Sequence, residues 1–316
     1  METKDRIKTI EELNALGMRL ARTPTMSNAL QVHAAAAELA KDPSINLDYH
    51  LISNANMGYA LRQLGQYHEA GQLLRDSLIQ SATRSPLATY GGRGRVYEEL
   101  GLVVADVPLA ENANEARIKN TQEGLATFAL AIQDYDAALH NQGEVYTPLQ
   151  LQQRRLRTIG MQSPKARNLA ELTAGAERQD WLKKAVTYAT QEVDARESMG
   201  EKEGQNLANS YHSLGQVLSE LVVEDSSQYS AAKQAFEKAA AVPGVAENTK
   251  TTLYLRRAWL EYKREASAKE AIAPLFDTFL KQSSILTSAD KSSLQRRVLE
   301  LGRHLGSDYT LRAEKF

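Results

Sequence analysis

Apolar and polar positions along this chain alternate with the period of a helix. Between Ile52 and Ser81, Met57, Leu61 and Leu64 recur at steps of three and four residues and so share one helical face. Gly58 lies on the adjoining face. Beyond Gly65 a second stripe runs through Ala70, Leu73, Leu74, Ser77 and Leu78. A glycine inside a helix costs about 1 kcal/mol relative to alanine. Gly58 is therefore expected where a second helix passes close, with Ala70 as the small contact point on it. Gly65 fits the left-handed position that ends a first helix. One such hairpin cannot bury both of its faces, so copies must stack.

The pattern recurs along the chain. Gly17 and Ala29 repeat the interval between Gly58 and Ala70, with Leu13, Leu16 and Leu20 before them and His33 and Ala36 after. Thr9-x-x-Glu12 predicts a capping box opening the first helix, and Thr23-Pro24 a cap for the second. Asp42-Pro43 closes that unit. Ser85-Pro86 predicts a third helical start, followed by Gly94 and Tyr97, then Ala131, Tyr135 and Ala138. The Gly94–Ala131 spacing is stretched by an insertion near 102–117, expected to be a loop or a lengthened helix pair broken at Pro108. Thr147-Pro148-x-Gln150 and Ser163-Pro164 predict two further starts. A degenerate copy follows in Leu169, Leu172, Ala176, Ala185 and Ala189. The pattern returns in Tyr211, Leu214, Gly215 and Leu218 with Ala232, Phe236 and Ala239. It recurs more loosely in Tyr254, Ala258, Ala271 and Leu275, where Ser267-x-x-Glu270 predicts a cap. A last helix over about 288–305 carries Leu294, Val298, Leu301 and Leu305, with Ser288 as its cap. The residues after it are expected to be a mobile tail.

These offsets resemble those of the tetratricopeptide repeat: a large residue, a Leu-Gly pair, an aromatic, then Ala, Phe and a small residue over a repeat of about 34 positions. Asn54 stands where that pattern has Trp, and Leu61 where it has Tyr. The resemblance spans about residues 10–284. It implies an all-α fold, a right-handed superhelix (α-solenoid) of about six helical hairpins with a C-terminal capping helix, in one domain over 1–316. The repeats would run about 10–43, 51–84, 87–145, 166–199, 208–244 and 251–284.

Composition narrows the function. The 316 residues hold 42% hydrophobic and 24% charged residues with a net charge of −1, so general attraction to nucleic acid or membrane is not expected. No apolar run is long enough for a membrane span, and the charged start METKDRIKTIEEL has no apolar stretch of a signal peptide. The absence of cysteine removes disulfides and thiolate metal sites and fits the cytoplasm.

Candidate chemistry is sparse. His33, His50, His68, His140, His212 and His304 show neither an HExxH spacing nor an i, i+4 pair, so no metal site and no cofactor is expected. Gly91-Gly92-Arg93-Gly94-Arg95 resembles a phosphate cradle but lacks the Lys-Ser/Thr that follows one. Ser230-x-x-Lys233 and Ser288-x-x-Lys291 mimic a serine–lysine pair without companion motifs. Glu98-Glu99 reads as solvated charge. Arg154, Arg155 and Arg157 read as an exposed helix face or a seat for a partner's acidic patch. Trp181 and Trp259 are expected in the core.

The resemblance implies that the first helix of each hairpin lines a concave groove that binds a protein or peptide. Its side chains here would be Asn56, Tyr59 and Gln63, then Arg95 and Glu98, then Asn209, His212 and Gln216. Ile52, Ala55, Arg256 and Trp259 would lie beside them. Asn and Gln can pair with a peptide backbone whatever its side chains, and Tyr59 offers area and a hydroxyl. The carboxylate clamp of one family subtype is missing, since its basic positions are Ile52, Asn56 and Gly92. The expected function is thus a non-enzymatic scaffold or adaptor. A sensor that binds a short peptide or small ligand is the alternative, favoured if the 102–117 insertion closes a deep groove. An enzyme would require converging carboxylates in a buried pocket.

Overall fold

The computed structural model describes residues 2–84, 90–110, 112–141, 145–200 and 204–316. Among them the regular structure is entirely helical. The chain forms two compact units, Met1–Leu172 and Thr173–Phe316.

The first unit contains α1 (Thr3–Leu20), α2 (Met26–Leu39), α3 (Leu47–Gln63), α4 (Tyr67–Arg84), α5 (Tyr90–Asp106), α6 (Asn114–Leu139) and α7 (Pro148–Leu172). Sequential helices pack as antiparallel neighbours, and α1, α3, α5 and α7 also adjoin one another in that order. They form one layer, against which α2, α4 and α6 pack. The second unit contains α8 (Gly175–Ser198), α9 (Gln205–Leu221), α10 (Gln228–Ala241), α11 (Glu247–Arg264), α12 (Lys269–Gln282), α13 (Ser288–Leu305) and α14 (Ser307–Glu314), with a 3-10 turn at Ser283–Ile285. There α9, α11 and α13 adjoin in the same manner.

Glycines set the close approaches inside the hairpins. A Cβ built on Gly17, Gly94, Gly101 or Gly215 would lie within 3.0 Å of His33, Tyr135, Phe128 or Phe236, each on the next helix. Opposite Gly58 the space is filled by Leu74 rather than by Ala70, one turn earlier. Ala70 is itself fully buried. Gly65 ends α3 at φ 79°, with the Gln66 amide donating to the Leu61 carbonyl at 2.9 Å.

Several expected helix boundaries move. α1 begins at Thr3, so Thr9 lies inside it and donates to the Asp5 carbonyl at 2.8 Å instead of capping. α2 begins at Met26, two residues past Pro24. The Ser85-Pro86 start falls outside the described residues. The Thr147–Gln150 start is present, with Thr147 N donating to Gln150 Oε1 and Gln150 N to Thr147 Oγ1. Ser163-Pro164 starts nothing, because α7 runs through it. Continuing the helix keeps Leu151, Ile159, Gln162, Ala166 and Leu169 buried against the unit, while Pro164 faces solvent. That burial outweighs a proline penalty of about 3 kcal/mol. Within the stretch expected as a repeat over 166–199, α7 ends at Leu172 and α8 begins at Gly175. Leu169 belongs to α7, and Ala185 and Ala189 belong to α8, which packs on α9.

Ser267 reaches Glu265 rather than capping α12. The cap of α13 is Thr287, in a reciprocal pair with Asp290, and not Ser288. The insertion near 102–117 is a lengthened helix pair: α5 continues to Asp106, α6 spans 26 residues, and only 107–113 connects them. The two backbones cross where Gly101 faces Gly124. Residues after α13 form α14, with Ala313 against Gly302 and the Phe316 ring 5.3 Å from Phe279, not a loose tail. Trp259 is buried, whereas Trp181 is half-buried with the Lys184 ammonium 4.0 Å above its ring.

Candidate functional site

α5 carries the most informative side chains of the first unit. Its sequence offers no continuous polar face: glycines, aliphatics and two tyrosines are interrupted by Arg93, Arg95, Glu98 and Glu99, with Asp106 at its end. Such a helix is covered on several sides, here by α3, α4, α6 and α7. Charges on it must therefore be paired.

Glu98 and Glu99 are fully buried, not solvated. Glu99 accepts from Arg62 Nε of α3 at 2.7 Å and from Arg95 Nη1 at 3.4 Å. Glu98 accepts from the Tyr135 hydroxyl of α6 at 2.7 Å. It also lies 3.7 Å from Arg95 Nη1, 3.6 Å from Arg154 Nη1 and 3.5 Å from Arg157 Nε. Four guanidinium groups thus surround two carboxylates. Burial pushes the Glu98 carboxyl up, but Arg95, Arg154, Arg157 and the Tyr135 hydroxyl together hold it below its usual range. Burial likewise opposes the Arg95 charge, and Glu98 and Glu99 overcome it. Tyr146 lies under Arg154, whose guanidinium carbon is 4.7 Å from the ring centroid.

The cluster opens outward at both ends. On α7 the Arg157 side chain is 55% exposed, against 4% for Arg95. On α3 the half-buried Tyr59 ring lies 5.7 Å from the Arg62 guanidinium carbon. A continuous row therefore runs from Tyr59 through Arg62, Glu99, Arg95 and Glu98 to Arg154 and Arg157, across α3, α5 and α7.

Beside it, Asn14 of α1 organises a neutral patch. Asn14 Oδ1 accepts from Asn56 Nδ2 at 3.3 Å and from His33 Nδ1 at 3.1 Å, and Asn14 Nδ2 donates to Ser53 Oγ at 2.9 Å. Burial first, and then the charge of Arg95, lower the His33 pKa to about 4. Its ring is neutral at physiological pH.

The expected groove residues are dispersed by this packing. Arg95, Glu98 and Asn56 are buried and present no free side chain to solvent, because neighbouring helices cover them. Tyr59 and Gln63 retain exposed surface. In the second unit Asn209 is exposed and accepts from Gln205 Nε2 at 2.7 Å, while His212 and Gln216 contact each other at 2.8 Å. Arg62 and Tyr146 join the site without a signal in the repeat pattern, and Tyr135, expected there as a packing position, also donates to Glu98. The signal for the cluster itself was the covered character of α5 combined with Arg95 three and four residues before two glutamates.

The glycine-rich start of α5 is occupied by the protein itself. Gly92 N donates to Asp48 Oδ1 at 3.0 Å, and a Cβ on Gly92 would strike that oxygen. Asp48 on the first turn of α3 serves as the anion for this helix end, which leaves the phosphate-cradle reading without a site. Among the described residues, no helix is long and apolar enough to cross a membrane.

No family model matches the chain, and no curated protein matches it by sequence. Solved structures do. BtubC (BKLC) from P. vanneervenii superposes with a TM-score of 0.55 at 11% identity, over 83% of this chain and 92% of that one. The assembly chaperone of RpL4, Acl4 (residues 1–338), gives 0.50 at 12% identity, over 97% and 98%. A kinesin light chain of nearly identical TPR-like repeats from Podosopora anserina gives 0.47 at 17% identity, over 76% and 96%. The likeness to BtubC and Acl4 is one of fold alone, a stack of helical hairpins of the all-α class that the repeat resemblance implies.

Proposed function

We propose that this protein is a non-enzymatic scaffold whose first unit binds an acidic protein or peptide segment on the face formed by α3, α5 and α7. The observation that carries this reading is the row from Tyr59 to Arg157. Its guanidinium groups outnumber its glutamates, and its cationic surplus reaches solvent at Arg157. Its other end offers the Tyr59 ring as a partly exposed anchor. Buried Arg95 does not touch the partner. With Glu98 it fixes the positions of Arg154 and Arg157, so the exposed cations are held in place before binding.

The Acl4 structure, an assembly chaperone of RpL4, supports use of this kind of fold on a protein. In a peptide array with graded acidic content, the wild-type protein is expected to retain acidic sequences. Arg157→Ala combined with Tyr59→Ala is expected to weaken them by more than about fivefold with the melting temperature unchanged. Equal retention of acidic and neutral peptides, or an unaffected double variant, rejects the reading.

A further inference from the structure

The lengthened α5–α6 pair creates a space of its own. A cleft of about 460 Å³ lies between the C-terminal turn of α5, the connection after it, α6 and the last turns of α7. That volume is in the range of small-molecule sites. None of its lining residues belongs to the row described above.

The charges of the cleft are separated by helix. Arg117 comes from α6, Asp106 from the last position of α5, and Glu171 from α7. One Arg117 N–H is taken by the Leu109 carbonyl at 3.2 Å, and a guanidinium has five. Asp106 Oδ1 carries the Lys165 ammonium and Glu171 Oε1 lies 3.9 Å from Arg167 Nε, both cations from α7, yet the Asp106 side chain remains 32% exposed and that of Glu171 65%, so each carboxylate keeps an oxygen face open to the cleft. α5 has no basic residue in its last turn, so its negative end adds to the carboxylates. Val107, Leu109 and Leu172 supply apolar wall, and Asn120 and Asn168 supply amides that both donate and accept.

From this arrangement we infer that the cleft binds a zwitterion of amino-acid or dipeptide size. Its carboxylate pairs with Arg117, and its ammonium lies between Asp106 and Glu171. Its side chain rests on Val107, Leu109 and Leu172, and a peptide bond, if present, meets the two asparagines. A singly charged ligand meets only one of the two walls and forgoes the charge-assisted contacts of the other.

The test is calorimetric titration of the full chain with leucine, with the dipeptide Ala-Leu, and with Ala-Leu acetylated and amidated at its ends. Saturable binding of leucine or Ala-Leu and at least tenfold weaker binding of the capped dipeptide is expected. Arg117→Gln and Glu171→Gln should each weaken the zwitterion at least fivefold while the circular dichroism melt is retained. If Arg117→Gln unfolds, Glu171→Gln alone decides, since Glu171 is exposed. Capped and free dipeptides binding alike overturn the inference. So does absence of heat up to about 10 mM ligand, or undiminished binding by Glu171→Gln. Leucine binding without the dipeptide, or the reverse, identifies the size of the ligand.

Discussion

Leu74 fills the space that a side chain on Gly58 would need: a Cβ there would sit 2.9 Å from Leu74 Cδ2 and 3.0 Å from its Cγ. Leu74 is fully buried and has no room to retreat. Gly58→Leu is therefore expected to destabilise the first unit by about 1–3 kcal/mol through overpacking. Urea melts of Gly58→Leu, Leu74→Ala and the double variant check this. The double variant should recover part of the loss, a coupling that two independent defects would not show.

The buried charges of α5 are unequal in consequence. Removing the Glu98 carboxylate takes one of the two carboxylate contacts from buried Arg95 and leaves Glu99 alone to balance Arg62 and Arg95, with Arg154 beside them. Breaking a buried pair from one side costs about 3–5 kcal/mol. Glu98→Ala is expected in that range, whereas Arg157→Ala, at the exposed rim, should cost about 0–1 kcal/mol. Equal chemical-denaturation midpoints for the two variants would contradict the cluster.

Acid should weaken the fold through His33. Its folded pKa is lowered from 6.5 to about 4 by burial and by Arg95. The unfolded chain therefore binds more protons between those values, and stability falls as pH drops from about 6.5 towards 4. The contribution is on the order of 1–3 kcal/mol. Glu98, also held low, adds its loss only below the ordinary carboxylate range. Denaturation midpoints of the wild type and His33→Asn across this window should converge as the pH is lowered.

The C-terminal helix is expected to be structural. Ala313 is buried against Gly302, and Phe316 lies against Phe279. Truncation after Gly306 should destabilise the second unit by about 1–3 kcal/mol through lost apolar burial. Hydrogen exchange in α13 should then accelerate; unchanged protection would mean that α14 merely rests on the surface.

Local periodicity alone determined the helical class, the hairpins around Gly17, Gly58 and Gly215, and the left-handed turn at Gly65. Those features depend on residues a few positions apart, and a helical period or a glycine turn is written at that range. The extent of α7 was decided elsewhere, because burying Leu151 through Leu169 along one helix overrides the local signal of Pro164. The order of α14 was likewise decided by partners distant in sequence, Phe279 among them. The same holds at the candidate site. Tyr59 and Arg157 are legible as polar residues of helices, but their connection passes through Arg62, Glu99, Arg95 and Glu98, which three helices bring together. Whether a charge such as Glu98 is solvated or buried depends on which neighbours cover its helix, and that is a property of the packed unit, not of the residues beside it in the chain.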